Sequence, residues 1–260
     1  LSMLKEEQGE MVYGMIKPYL KCDYNIRKNF EYKFVISEYT NDSIFSPDEY
    51  LKIQERLTYK KYYMTANVFD KRFKIGFFLE ELELDSALKN HQFLFREDLK
   101  IHKKELDRMI AMDNTQRKSF VLEGMRLKVF INNIEAKLDD VVIDEAGILL
   151  DMSCGGDSSD GELLRDVTVE IGFIMPMLKS NCKILASISE PTYSPIIDLS
   201  YPEDKYKVTM LPFLNGNTSS KDAMHYDGLC EIVVNDDWIM PMSGVAFLIS
   251  EKQGQCNKDA

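Results

Sequence analysis

Between Met125 and Ile131 apolar residues alternate with basic ones, a period of two that predicts a half-buried β-strand. The pair Asn132-Asn133 closes that run with turn chemistry. Further short apolar runs, separated by Pro, Gly, Asn and Asp clusters, predict strands at 141–143, 148–151, 167–173, 183–188, 205–210, 231–234 and 245–249. So many short strands in succession predict a closed or nearly closed antiparallel β-barrel in the second half of the chain.

The first half has a mixed texture. Residues Tyr32 to Ile36 predict a short strand, and the aromatic and β-branched run from Met64 to Phe78 predicts strands around a turn at Asp70-Lys71. Ser46-Pro47-Asp48-Glu49 carries helix-start chemistry, with serine at the cap, proline in the first turn and acids where the dipole favours them. That signature predicts a helix to about Tyr59. Two more helices are expected over 79–89 and 97–112. In the second, Leu99, His102, Leu106, Met109 and Ile110 recur at helical spacing, a stripe that belongs to a core. The polar break at Asp113-Asn114-Thr115 then divides the chain. The expected fold is a mixed α/β N-terminal domain over residues 1–112, followed by an antiparallel β-barrel over 113–260.

Composition narrows the function classes. With 260 residues, 45% apolar and 29% charged, the chain can bury a real core, and wholesale disorder is excluded. A net charge of −11, from 43 acidic against 32 basic residues, argues against broad binding to DNA. It leaves room for one small anion held by a local basic cluster. No run approaches the roughly 18 apolar residues of a membrane span, and the first ten residues carry no signal-peptide pattern. The five cysteines (Cys22, Cys154, Cys182, Cys230, Cys256) are odd in number and scattered, and His91, His102 and His225 are not at metal spacing. Neither a disulfide framework nor a zinc site is expected, and a cytoplasmic setting with reduced thiols fits.

Candidate chemistry concentrates after the apolar run Ala146 to Leu150, where Asp151-Met152-Ser153-Cys154-Gly155-Gly156 places an acid, a hydroxyl and two glycines in one turn. A carboxylate and a hydroxyl there can hydrogen-bond a planar heterocycle, while glycine permits positive φ. Upstream stands Gln116-Arg117-Lys118-Ser119-Phe120. The combination resembles the PilZ domain family, bacterial receptors for cyclic di-GMP. That family has an RxxxR arm before its first strand and a D/N-x-S-x-x-G turn, which Asp151, Ser153 and Gly156 fill. The segment from Asp166 to Pro176 is similar to the family's strand ending in an apolar-Pro turn, and Gly244 to Phe247 looks like its closing strand. The resemblance covers about residues 114–250, with an insertion around 190–227, and matches the two-domain plan of flagellar-brake relatives.

It implies a non-enzymatic regulator of motility without a cofactor. Cyclic di-GMP would be held by Gln116, Arg117, Lys118, Asp151, Ser153, Gly155 and Gly156, and a protein partner would read the bound state. Arginine suits the arm because its planar fork of donors pairs with phosphate or a guanine edge. The arm departs from the family in one respect: its second arginine falls on Val121 or Leu122, neither of which can pair with phosphate. That motivates an alternative, a protein-interaction scaffold that has lost its ligand.

A further alternative is a methyltransferase using the 151–156 loop for S-adenosylmethionine. Against it, Asp157 stands where a third glycine is usual, and few later residues read as helix. A calcium loop also fails, since Gly161 at its sixth position would put Gly156, not an acid, at the first. Asp139-Asp140 and Asn235-Asp236-Asp237 read as solvated acidic turns, Trp238 as a packing residue or partner anchor, and Cys154 as an inert thiol. No GxSxG, Walker loop or HExxH is present.

Overall fold

A computed structural model describes residues 25–40, 45–63, 69–79, 93–155, 166–215 and 221–252. The first half forms β1 (Ile26–Glu38), β2 (Tyr50–Tyr62), β3 (Arg72–Leu79) and β4 (Phe93–Leu99), then α1 (Lys103–Ile110) and α2 (Asn114–Ser119). Next come β5 (Lys128–Ile131), β6 (Ile134–Glu135), β7 (Lys137–Asp144), β8 (Gly147–Ser153) and the long β9 (Asp166–Leu178). The last third supplies β10 (Lys183–Ile188), β11 (Thr192–Tyr193), β12 (Ile196–Ser200), β13 (Tyr206–Phe213), β14 (Lys221–Tyr226), β15 (Leu229–Val234), β16 (Trp238–Ile239) and β17 (Ser243–Glu251).

These strands build three open sheets. The largest runs β14-β15-β12-β1-β2-β9-β5-β6, with β11 and β16 attached beside β1. A second runs β4-β3-β8-β7 and a third β10-β17-β13. The expected antiparallel barrel is therefore corrected: among the described residues each sheet ends on strands paired on one side only, and β1–β12 and β3–β4 pair in parallel. The expected mixed α/β N-terminal domain is corrected too. Among the described residues the α-helices are only α1 and α2, of eight and six residues. Strands from both sides of the 113–115 break share the large sheet, where β1 and β2 lie between β12 and β9.

The helix predicted from Ser46 to Tyr59 is instead one turn followed by a strand. Ser46 Oγ accepts from the Asp48 N–H at 3.3 Å, as the cap signature requires, Ser46 O accepts from the N–H groups of Glu49 and Tyr50, and the chain then extends as β2. Its true period is two: Leu51, Ile53, Glu55, Leu57 and Tyr59 all point inward. The strand is decided by pairing on both flanks, with β1 and, over its whole length, with β9. Likewise the first residues of the helix expected over 97–112 complete β4, leaving Lys103–Ile110 helical. The helix expected over 79–89 lies outside the described residues apart from Leu79. The strands expected in the second half are all present, and Asn132 and Asn133 both adopt positive φ (50° and 64°) in the two-residue turn joining β5 to β6.

One face of the large sheet is the core. Phe34 of β1 meets Phe247 of the third sheet at 6.1 Å between ring centroids. Phe173 of β9 meets Phe77 and Phe95 of the second sheet at 5.1 and 5.4 Å. Both smaller sheets thus cover the same inner face. Fully burying each such ring contributes roughly 1.5–3 kcal/mol.

Within this layer sits a polar cluster. The Tyr32 hydroxyl lies 2.6 Å from Glu55 Oε2 and 3.2 Å from Glu97 Oε2, so it bridges β1 and β2 to β4. A hydroxyl has one proton to give, so both contacts are hydrogen bonds only when one carboxyl carries a proton. Burial pushes Glu97 well above the usual carboxyl range, with the neighbouring Glu55 charge adding to it. A protonated Glu97 can then donate to Tyr32 while Tyr32 donates to Glu55. Burial also pushes Glu55 up to about 7, partly offset by the Tyr32 hydrogen bond and the Lys100 ammonium, which itself donates to the carbonyl of Lys183.

A carboxyl raised in the folded state stabilises the fold below its ordinary pKa and loses that contribution as pH climbs through the folded value. Stability should therefore fall between about pH 4.5 and pH 7 by on the order of 3 kcal/mol. Glu55→Gln should flatten this dependence in denaturant titrations at pH 5 and pH 8. An unchanged slope in the variant would assign the pH dependence to other groups.

Candidate functional site

Where β1 begins and β2 ends, register brings Arg27 directly opposite Lys61. Two cations facing each other across a strand pair repel. The chain resolves this from the far side of the sequence: Arg27 N donates to Pro191 O, pairing that places Glu190 between the two cations. Arg27 Nε donates to Glu190 Oε2 at 2.6 Å, and Lys61 Nζ donates to Oε1 at 2.8 Å. Asn25 Nδ2 adds a bond at 3.4 Å, and the Arg27 guanidinium lies 4.7 Å over the Tyr59 ring. The side chains of Arg27, Lys61 and Glu190 are 11%, 14% and 16% exposed. Burial alone would push Glu190 up, but Arg27 and Lys61 outweigh it and hold the carboxyl below its usual range. Burial lowers Lys61, with Glu190 opposing that trend.

Asn25, Lys61 and Glu190 form one wall of a cavity of about 670 Å³. A second wall is the near end of the four-stranded sheet. There the register aligns Asp140, Asp151, Lys74 and Phe93 in one row across β7, β8, β3 and β4. Lys74 Nζ donates to Asp151. A β-bulge between Leu138 and Asp140 turns both Asp139 and Asp140 outward, so adjacent acids reach the cavity. Asp139 lies 3.9 Å from Lys137, whereas the Asp140 carboxylate makes no ion pair or hydrogen bond among the described residues. At the start of β3 Asp70 accepts from the Arg72 N–H at 2.9 Å, and the Arg72 guanidinium, which also lines the cavity, is free of ion pairs among the described residues. Tyr63, Phe73, Phe93 and Leu94 complete the lining with apolar surface.

The residues expected to bind a ligand are distributed as follows. Asp151 lines this cavity; Ser153 ends β8 opposite Arg72 and does not line it. Gly155 has a φ outside the left-handed region and nothing within 4 Å of where a Cβ would stand, so no steric demand for glycine exists there. Gly156 lies outside the described residues. Gln116, Arg117 and Lys118 stand on α2. Gln116 is consumed by a capping box with Asp113, Arg117 donates to Ile110 O at 2.6 Å, and Lys118 donates to Asp139 O at 2.6 Å. The structure thus brings Lys118 beside the acidic row, while Gln116 faces a separate, mainly apolar cavity of about 460 Å³ walled by Phe120 and Met125. Between those two residues the helix widens into one π turn, Phe120–Gly124.

The methyltransferase loop is not supported, because β8 runs antiparallel to both neighbours. Burial pushes the Cys154 thiol up, favouring its neutral form. Trp238 is half-buried against Tyr193 at 5.3 Å. Among the described residues no helix is long and apolar enough to cross a membrane, and no group of His, Cys, Asp or Glu could hold a metal ion.

No protein-family model matches the chain, and no curated protein matches it. Among solved structures it is similar to a protein of Legionella pneumophila subsp. pneumophila str. Philadelphia 1, provisionally named a nutrient binding protein. The two are 8% identical, with 86% of this chain and 67% of that one covered, at a TM-score of 0.36. So slight a likeness carries no argument about this chain.

Asn25, Arg27, Lys61 and Glu190 escape sequence reasoning because 163 residues separate Arg27 from Glu190. Asp139-Asp140 did carry a signal. The apolar positions Leu138, Val141 and Ile143 are spaced three and then two, the signature of a bulge within an alternating strand.

Replacing Glu190 by alanine leaves two cations facing each other in a nearly closed site, at a cost of about 3 kcal/mol. Because Glu190 is held below the usual range, its contribution is present above the ordinary carboxyl pKa and is lost as pH falls through the folded value. Denaturant midpoints of wild type and Glu190→Ala should therefore differ at pH 7, and the difference should shrink as pH falls below the ordinary carboxyl range.

Proposed function

We propose that this chain is a small-molecule binding protein whose receptor site is the 670 Å³ cavity at the end of the stacked sheets. The observation that carries the reading is convergence: partly exposed aromatic surface and charged side chains from two different sheets line one concavity. Its volume falls within the roughly 300–1,000 Å³ range of small-ligand sites. Most of the charged groups stand on regular strands and Glu190 is held by its bonds to Arg27 and Lys61, so the site is preorganised and little ordering cost accompanies binding.

The ligand is a polar molecule without a concentrated negative charge. Five carboxylates against three cations line the cavity, and two of those cations are already held by Asp151 and Glu190. A cyclic dinucleotide, with two phosphates, suits this lining poorly, and the bonds made by Arg117 and Lys118 to backbone carbonyls count against the arm as its clamp. A second reading, a protein-interaction scaffold, draws on exposed Leu211, Phe213 and Met242 near the edge strand β13, where Met242 is 85% exposed.

A melting screen tests the primary reading, using free amino acids, dipeptides, mono- and disaccharides, cyclic di-GMP and S-adenosylmethionine. Ligand at a hundred times its Kd should raise Tm by about 5 °C. Leu94→Trp, which fills the cavity from a half-buried position, should abolish the shift while leaving the circular dichroism spectrum unchanged. A shift that survives this substitution, or silence across the whole panel at millimolar concentrations, would overturn the assignment.

A further inference from the structure

The two walls of the cavity differ in charge. On the large-sheet wall Arg27 and Lys61 share one carboxylate, Glu190, so a cationic excess remains behind it. Lys61 has three N–H donors, of which one is used on Glu190, and its ammonium sits 5.2 Å over the Tyr63 ring. From the four-stranded-sheet wall, at the start of β3, Arg72 adds a guanidinium free of ion pairs among the described residues. Beside Lys61 the buried Oδ1 of Asn25 has no hydrogen-bond partner among the described residues. Arg72 apart, the four-stranded-sheet wall is anionic: Asp139 and Asp140 project together from the bulge, with Lys74 committed to Asp151 and Asp140 without a cation among the described residues.

We infer that the cavity takes a zwitterion, an α-amino acid or short peptide with free ends. Its carboxylate lies toward Lys61 and Arg72, and its ammonium toward Asp139 and Asp140. The inference rests on the binding role proposed above and specifies the ligand class for that same cavity. Planar, bidentate donation from Arg72 suits a carboxylate, and carboxylates accept the three N–H bonds of an ammonium. A neutral polyol would leave the charge difference between the walls unused. A cation or an anion alone would satisfy one wall and face like charge on the other. The aromatic and aliphatic surface of Phe73, Phe93 and Leu94 receives the side chain.

The test is isothermal titration of the dipeptide Ala-Phe, its N-acetyl derivative and its C-terminal amide into wild type, Asp140→Asn and Arg72→Gln, with L-leucine, L-asparagine and L-lysine as free amino acids. Both substitutions fall on exposed side chains, so folding is retained. Unblocked Ala-Phe should bind at least tenfold more tightly than either blocked form. Asp140→Asn should weaken Ala-Phe by about tenfold and leave the N-acetyl form unaffected. Arg72→Gln should do the same for Ala-Phe and leave the amide unaffected. Equal affinity for blocked and unblocked forms overturns the zwitterion assignment. So does silence of every amino acid and dipeptide while a saccharide binds in a manner sensitive to Leu94→Trp, which leaves the cavity's binding role intact. If nothing in either panel binds, both readings fall.

Discussion

A glutamate in the middle of an otherwise apolar face is the constraint around which the layers are arranged. Glu55 occupies an inward position of β2, the strand flanked by β1 and β9, and it cannot turn toward water without inverting the strand's whole pattern. Its surroundings must instead supply protons and charge. Tyr32 comes from the neighbouring strand, Glu97 and Lys100 from the covering sheet and the segment just after it, and Lys100 reaches on to a backbone carbonyl of β10. All three sheets therefore meet around Glu55, two of them through hydrogen bonds and the third through the Lys100 ammonium, which acts on Glu55 by charge and donates to Lys183 O. Apolar contact alone would allow them to slide, whereas directional bonds fix their relative placement.

That fixed placement matters for the cavity, whose walls belong to different sheets. The large sheet brings the Arg27, Lys61 and Glu190 group, and the four-stranded sheet brings the row containing Asp151 and the bulge acids. The first wall carries an excess of cations and the second an excess of acids. Their spacing is set by how the sheets stack, and so by the clamp at Glu55 and the rings around Phe173. Core and site are linked through rigid strands rather than through a shared loop.

What the sequence revealed and concealed follows the same division between local and distant. Alternation along single strands was legible, so the strands of the second half and the Asn132-Asn133 turn could be placed from residues alone. How those strands assemble was not, because β1 lies beside β12 by a parallel pairing between segments more than 150 residues apart. The cap signature at Ser46 was real but local, and long-range pairing overrode it one turn later. Asp151 was singled out for its glycine-rich context, yet its place in the cavity comes from its register partners Lys74 and Asp140. Lys61 and Glu190 offered no motif at all. Their meeting is a product of topology.

The edge of the three-stranded sheet carries one more implication. Leu211 and Phe213 are exposed on β13, and such a strand would ordinarily invite another backbone to add itself alongside. Between them stands Pro212, which has no amide hydrogen to offer. Side chains here can adhere to a neighbouring surface, but the hydrogen-bonded ladder cannot propagate past the ring. The protein can therefore be adhesive at this rim without seeding cross-β growth from molecule to molecule.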